Sequence, residues 1–129
     1  MPRPPEHSER GATAIETVIL TPVLLLLITL VFQFGLWYHA ESVVQAAAAE
    51  GVRTARLEGG TAQDGQLRAE DFLAHAGPTI VQHPNVTATR DLTTAAVTVT
   101  GTAIMIVPGF HLPLRATATS PNEQFRPGQ

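Results

Sequence analysis

The chain has 129 residues, a formal net charge of −3 and no cysteine. Its length suits one domain, and its eight basic residues, all arginine and scattered, exclude a basic face for nucleic acid. Without cysteine there is neither a disulfide framework nor a thiolate metal site, so an exported domain must be held by packing alone.

Residues 1–11 form a polar leader that ends in Arg10-Gly11. From residue 17 to residue 38 there follow 22 residues without a formal charge, rich in Leu, Ile, Val and Phe. About 20 apolar residues at ~1.5 Å each span a hydrocarbon core of ~30 Å, so residues 12–38 are expected to be a transmembrane helix. Arg3 and Arg10 precede the run, and the next basic residues are Arg53 and Arg56. By the positive-inside rule the N-terminus stays cytoplasmic and the rest becomes extracytoplasmic, in a single-pass cell-membrane topology. Trp37 and Tyr38 stand where an aromatic belt meets the far interface.

Two features complicate the span, Glu16 and Pro22. A carboxylate at a membrane-helix centre costs ~2.5–3.5 kcal/mol, and less near an interface. As an ordinary anchor residue, Glu16 would snorkel toward headgroups and favour the positive end of the helix dipole. A secretory signal peptide is a poorer reading, because its apolar region is only about 7–15 residues long. A third reading takes Gly11 and Glu16 together. If the chain is cut after Gly11, Ala12 becomes the new amino terminus and Glu16 the fifth residue. Amine and carboxylate then carry opposite charges that can pair between neighbouring subunits in low dielectric, where an unpaired charge is expensive.

The order Arg10-Gly11, Glu16, Pro22, Leu24-Leu25-Leu26-Leu27, Phe34-Gly35 and then Gln45 to Arg53 resembles the TadE-like family. These are minor pseudopilins of the tight-adherence (Flp-type) pilus machinery, related to type IV pilins. The resemblance covers residues 10 to about 57. It implies a class III signal cut by a prepilin peptidase between Gly11 and Ala12, and a span kept as the packing core of a filament. It also implies Glu16 as the assembly charge, with other pilin or pseudopilin subunits and Tad assembly-platform proteins as partners. Ala12 stands where many type IV pilins have Phe. Pro22 lacks an N–H and is expected to kink or loosen the helix near Val18, with Thr17 and Thr21 able to serve the freed carbonyls.

Beyond Tyr38 the helical period continues. Ala40, Val44, Ala47, Ala48, Gly51 and Ala55 make one narrow stripe of small or apolar residues, suited to a sheet of the same chain or to a neighbouring subunit. Ser42, Gln45, Ala49, Arg53 and Arg56 take the other face, and Gly59-Gly60 stops a helix expected from about residue 12 to residue 57. Thr61 is set to cap a second, short helix with Leu67, Phe72, Leu73 and Ala76 as its apolar face. Gly65 weakens its first turn, and Gly77-Pro78 ends it.

From Asn85 the period becomes two. Val86 and Ala88, Val97 and Val99, and Leu114, Ala116 and Ala118 alternate with Thr and Arg. Asp91 to Thr94 suits a hairpin connection, and Pro108-Gly109 a turn after the apolar residues 104–107. Residues 120–129, with little apolar content, read as a loose tail.

His7, His39, His75, His83 and His111 share no i,i+3 or i,i+4 spacing, so they do not announce a metal site. No catalytic motif occurs, and no cofactor is expected. The expected architecture is an α+β membrane protein. It has a long N-terminal helix, half transmembrane and half extracellular, one short helix, and a three- or four-stranded antiparallel sheet packed on the long helix. Its parts are 1–11, 12–38, 39–119 and 120–129. Two functional classes fit: a minor pilin-like structural subunit, or an unprocessed single-pass protein whose outer domain binds or scaffolds envelope partners.

Overall fold

In a computed structural model, which describes Pro2, residues 7–124 and Gly128, the chain is organised by one helix, α1, His7–Ala55. Parts of the expected leader (1 and 3–6) and tail (125–127 and 129) lie outside the described residues. At ~1.5 Å per residue, the 49 residues of α1 reach about 73 Å. The helix starts before Ala12, because Glu9 and Arg10 are good helix formers and the single Gly11 costs only ~1 kcal/mol. It ends at Ala55, and the turn that follows passes through Gly59, whose φ of 75° is a left-handed conformation that a side chain would oppose.

A short helix α2, Ala62–Ala76, folds back along α1. Thr61 caps it as the sequence leads one to expect. Its hydroxyl accepts from the Asp64 N–H at 3.1 Å, and the Asp64 carboxylate accepts from the Thr61 N–H at 2.9 Å, a reciprocal capping box. At the other end the Gly77 N–H donates to the Leu73 carbonyl at 3.0 Å.

Three strands follow as an antiparallel meander: β1 Val81–Arg90, β2 Thr94–Ala103 and β3 Pro113–Pro121. The alternation seen in the sequence decides which face turns inward. Val86 pairs with Val99, Val97 with Ala118 and Val99 with Ala116, and the inward face lies on α1. The strands run longer than the alternation alone suggests. β1 begins at Val81 and absorbs Pro84 in an irregularity between Gln82 and Asn85, as an edge strand can. In the β1–β2 hairpin the Asp91 carboxylate accepts from the backbone N–H groups of Thr93 (2.8 Å) and Thr94 (2.7 Å). Those donors, then the two threonine hydroxyls, hold its pKa down to about 2.

The small-residue stripe of α1 is covered by this sheet and by α2. Ala40, Val44, Ala47 and Ala55 are fully buried, with Val97, Val99 and Leu114 against them. The apolar face of α2 matches the expected one in part: Leu73 is buried and Phe72 packs against the core, but Leu67 and Ala76 are exposed and Gly65 and Ala69 are buried in their place. Small residues win because the two helices approach to backbone contact. A Cβ placed on Gly65 would stand 2.7 Å from the Ala55 Cβ and 2.8 Å from the Gly51 carbonyl oxygen.

The outer end of α1 is clasped twice. The Arg90 guanidinium donates to the carbonyls of Ala55 and Gly60 and, at 2.9 Å, to that of Leu57, and so serves the acceptors left open at the helix C-terminus. From the segment just after β3, the Glu123 N–H donates to the Arg56 carbonyl at 2.9 Å, and its carboxylate lies 3.5 Å from the Arg56 guanidinium. The Asn122 amide donates to the Asp91 carbonyl at 2.7 Å. Residues 120–124 are therefore tied to the domain, where composition alone suggested a loose tail from residue 120.

The Gly65 contact makes a prediction that opposes helix propensity. In a free helix Gly→Ala gains ~1 kcal/mol, whereas Gly65→Ala should lower stability by ~1–3 kcal/mol through overpacking. Gly35→Ala, with open space around it, should not. Denaturant unfolding of the two variants in detergent micelles checks both signs.

Candidate functional site

Among the described residues, no position in the apolar window of the inner half of α1 is buried. Its apolar side chains point outward on every face; Val18 is 71% exposed, Leu24 58% and Val31 72%. It is long and apolar enough to cross a membrane, and none of its apolar stretch is buried against the rest of the chain. A helix apolar all round belongs inside a larger core or in lipid. Three of its threonines fold their hydroxyls back onto the helix. The hydroxyls of Thr13, Thr17 and Thr29 donate to the carbonyls of Glu9 (2.8 Å), Thr13 (2.9 Å) and Leu25 (2.8 Å), one turn back, so they present methyl groups rather than hydroxyls outward.

Glu16 stands on this bare surface, exposed, and among the described residues no cation forms an ion pair with it. Gly11 and Ala12 lie one turn earlier, also exposed and inside α1. The peptide bond between them is helical. Its Gly11 side faces open space, with nothing within 4 Å of an added Cβ.

Pro22 sits inside α1 without ending it. Thr17, expected to serve the carbonyl freed at Val18, donates instead to Thr13, because the hydroxyl's short reach favours the carbonyl one full turn behind it. Trp37 and Tyr38 part company. Trp37 is half-buried against the domain core, its ring centroid 5.9 Å from that of Phe34, while Tyr38 points away and is exposed.

One residue of the span is buried, and sequence reasoning passed over it. Gln33 is 6% exposed. Its side-chain Nε2 donates to the Ile104 carbonyl at 3.0 Å, and its Oε1 accepts from the N–H groups of Ile106 (2.7 Å) and Val107 (3.4 Å). A single amide thus grips the connection between β2 and β3, some 70 positions away in the chain. The available signal was one amide in a run of 22 uncharged residues, together with an apolar hairpin connection that a soluble domain would make polar.

The histidines are dispersed, and among the described residues no three His, Asp or Glu side chains converge on a metal-sized space. His83 marks the β1 irregularity, at φ 50°.

Residues 11–53 match the model of a protein family described as TadE-like protein. The match begins at Gly11, takes in Glu16, Pro22 and Gln33, and ends within the buried stripe of α1. It bears out the resemblance carried by the N-terminal motifs. The second helix and the sheet lie beyond it. No curated protein sequence and no solved structure matches the chain.

Replacing Gln33 tests the clasp. Gln33→Leu preserves the apolar packing but leaves two N–H groups and one carbonyl without a partner, a loss of ~1–3 kcal/mol for the loop. The expected result is faster amide hydrogen exchange at Ile106 and easier proteolysis within residues 104–112, while protection in α2 and β1 is unchanged. Gln33→Glu, which keeps the acceptor and loses the donor, should fall between.

Proposed function

We propose that this chain is a minor pilin-like, TadE-like structural subunit of a tight-adherence pilus-related assembly or secretion machine. Its inner half-helix sits in the cell membrane and its α+β domain faces outward. The observation that carries this reading is the bare apolar half of α1, which coincides with much of the family-matched segment and bears Glu16, a carboxylate with no ion pair among the described residues.

A helix with no cover of its own must find lipid first and, on assembly, the helices of sister subunits. Lipid-embedded helices of neighbouring subunits can exchange one apolar environment for the other at little cost, because acyl chains and Leu side chains are equally apolar. Glu16 then selects register. A carboxylate buried among packed helices is stable only beside a cation, and a cut after Gly11 by a prepilin peptidase creates one at Ala12. On its own helix that amine lies four positions from Glu16, about 6 Å along the axis. In a helical array it can equally meet the Glu16 of a neighbour. Cleavage needs the helical turn from His7 to Gly11 to open. A helix end of this kind frays readily, and Gly11 lowers the cost of opening.

The unbroken helical path through Gly11 supports a second reading, in which the chain stays uncut. It would then be a single-pass anchor whose outer domain binds or scaffolds envelope partners, and Glu16 would simply lie toward the cytoplasmic headgroups.

The two readings part on one pair of measurements. On the first, intact mass of the membrane form corresponds to a chain starting at Ala12. Both Glu16→Ala and Glu16→Lys leave the protein in the membrane and abolish its recovery with assembled pili. A chain beginning at Met1 or Pro2, incorporated normally despite Glu16→Lys, would leave only the second reading.

A further inference from the structure

We propose that the connection between β2 and β3, residues 104–112, is a second membrane-embedded element that dips into the outer leaflet beside α1 and meets lipid acyl chains through Ile106 and Phe110. The proposal rests on the reading of α1 as a membrane span and adds a contact outside the family-matched segment.

Composition gives the first reason. The connection reads Ile-Met-Ile-Val-Pro-Gly-Phe-His-Leu and holds no charged residue apart from a titratable His111. Loops at the tip of a water-facing hairpin are polar, since their side chains have nothing apolar to cover them. Here Ile106 is 52% and Phe110 54% exposed. The domain's own core makes no use of either side chain.

Depth gives the second. The loop lies against Leu30, Phe34 and Trp37 of α1, and with them its Val107, Phe110 and Leu112 line an apolar groove. All three helix residues belong to the uncharged run that ends at Tyr38. Leu30 is eight positions before that end, which places the groove as much as about 12 Å below it along the helix axis. If the helix is in the bilayer at this level, the loop is there as well.

The third reason is how the backbone is satisfied. Irregular backbone at membrane depth is tolerated only when its polar groups find partners within the protein. The Ile104 N–H donates to the Ile80 carbonyl at 2.9 Å, and the Leu112 carbonyl accepts from Ala103 at 3.0 Å. The Ile104 carbonyl and the N–H groups of Ile106 and Val107 are taken by Gln33. In water these groups would need no such partner. A buried glutamine at this point of the span is what a lipid-embedded loop requires. Lipid is also the occupant continuous with the bare surface of the same helix immediately below, which none of the described residues covers.

Tryptophan fluorescence tests the proposal. The chain has one tryptophan, so in a Trp37→Phe background each of Phe110→Trp, Ile106→Trp and Leu25→Trp provides a single probe. The full-length protein is reconstituted into phosphatidylcholine vesicles with brominated acyl chains, and iodide serves as the aqueous quencher. Leu25→Trp reports on the span itself. The proposal expects the Phe110→Trp and Ile106→Trp probes to lose emission to brominated lipid, as the Leu25→Trp probe does, and to resist iodide.

If the Leu25→Trp probe is quenched by lipid while both loop probes are quenched by iodide, the loop lies in water and the proposal fails, although the span stands. Loop probes shielded from both quenchers would mean that protein, such as a second copy of the chain, covers the loop, and this too overturns it. A Leu25→Trp probe indifferent to brominated lipid removes the span, and the proposal with it.

Discussion

The constraint on which the rest of this structure depends is that one helix must satisfy two different surroundings along its length. From Ile15 to Val31 the large apolar side chains of α1 are exposed on all sides, with Leu30 at the edge of the β2–β3 connection. From Ala40 to Ala55 the same helix carries a narrow stripe of alanine, valine and glycine, fully covered by sheet and α2, with polar residues opposite. A broad apolar cylinder suits lipid, and a narrow small-residue stripe suits a tightly applied sheet. The change from one to the other, between Leu30 and Ala40, decides where the domain begins.

The domain is fastened to the helix at both ends of its outer half. At the top, Arg90 gathers the carbonyl of Ala55 at the end of α1 and those of Leu57 and Gly60 just beyond it, while Glu123, after β3, bonds to Arg56. At the bottom, Gln33 holds the β2–β3 connection. Between these clasps the packing is by small side chains, with Gly51 against Gly65 and alanines under the valines of β2. A core of this kind buries modest apolar area, and a small domain has little to spare. Polar clasps on backbone groups therefore do much to define the geometry, and their placement couples the domain's attitude to the helix. On the proposed assembly through the helix, such coupling would carry the position of the helix outward to the exposed domain surface.

The features legible in the sequence were those written in local periodicity. The length of α1, the stripe from Ala40 to Ala55, the Thr61 cap, the turn at Gly59 and the alternation of Val97 and Val99 all follow from neighbours within a few residues. What local pattern could not convey was pairing at a distance. Gly65 read as a weak point in a helix turn because the partner that requires it, Gly51, lies on another element. Leu67 read as core because it is large and apolar, yet the close approach of two backbones leaves room for Ala69 instead. Residues 120–124 read as tail because their composition is polar, while their role is to donate to carbonyls near the hairpin and at the end of α1. Gln33 was hidden by its surroundings, one amide among leucines and phenylalanines whose partner lies across the fold. At the candidate site, Gly11, Ala12 and Glu16 were visible as a motif. Their exposure on a helix without cover is a property only of the fold.

The most direct measurement is the accessibility of α1 itself, made simple by a chain without cysteine. Leu24→Cys and Ala49→Cys place one thiol on each half of the helix, both at exposed positions. In right-side-out membrane vesicles a charged maleimide should label Ala49→Cys at once and leave Leu24→Cys unlabelled until detergent disperses the bilayer. Equal labelling of the two in intact vesicles, or an Ala49→Cys thiol reached only from the cytoplasmic side, would contradict a helix shared between lipid and an outward-facing domain.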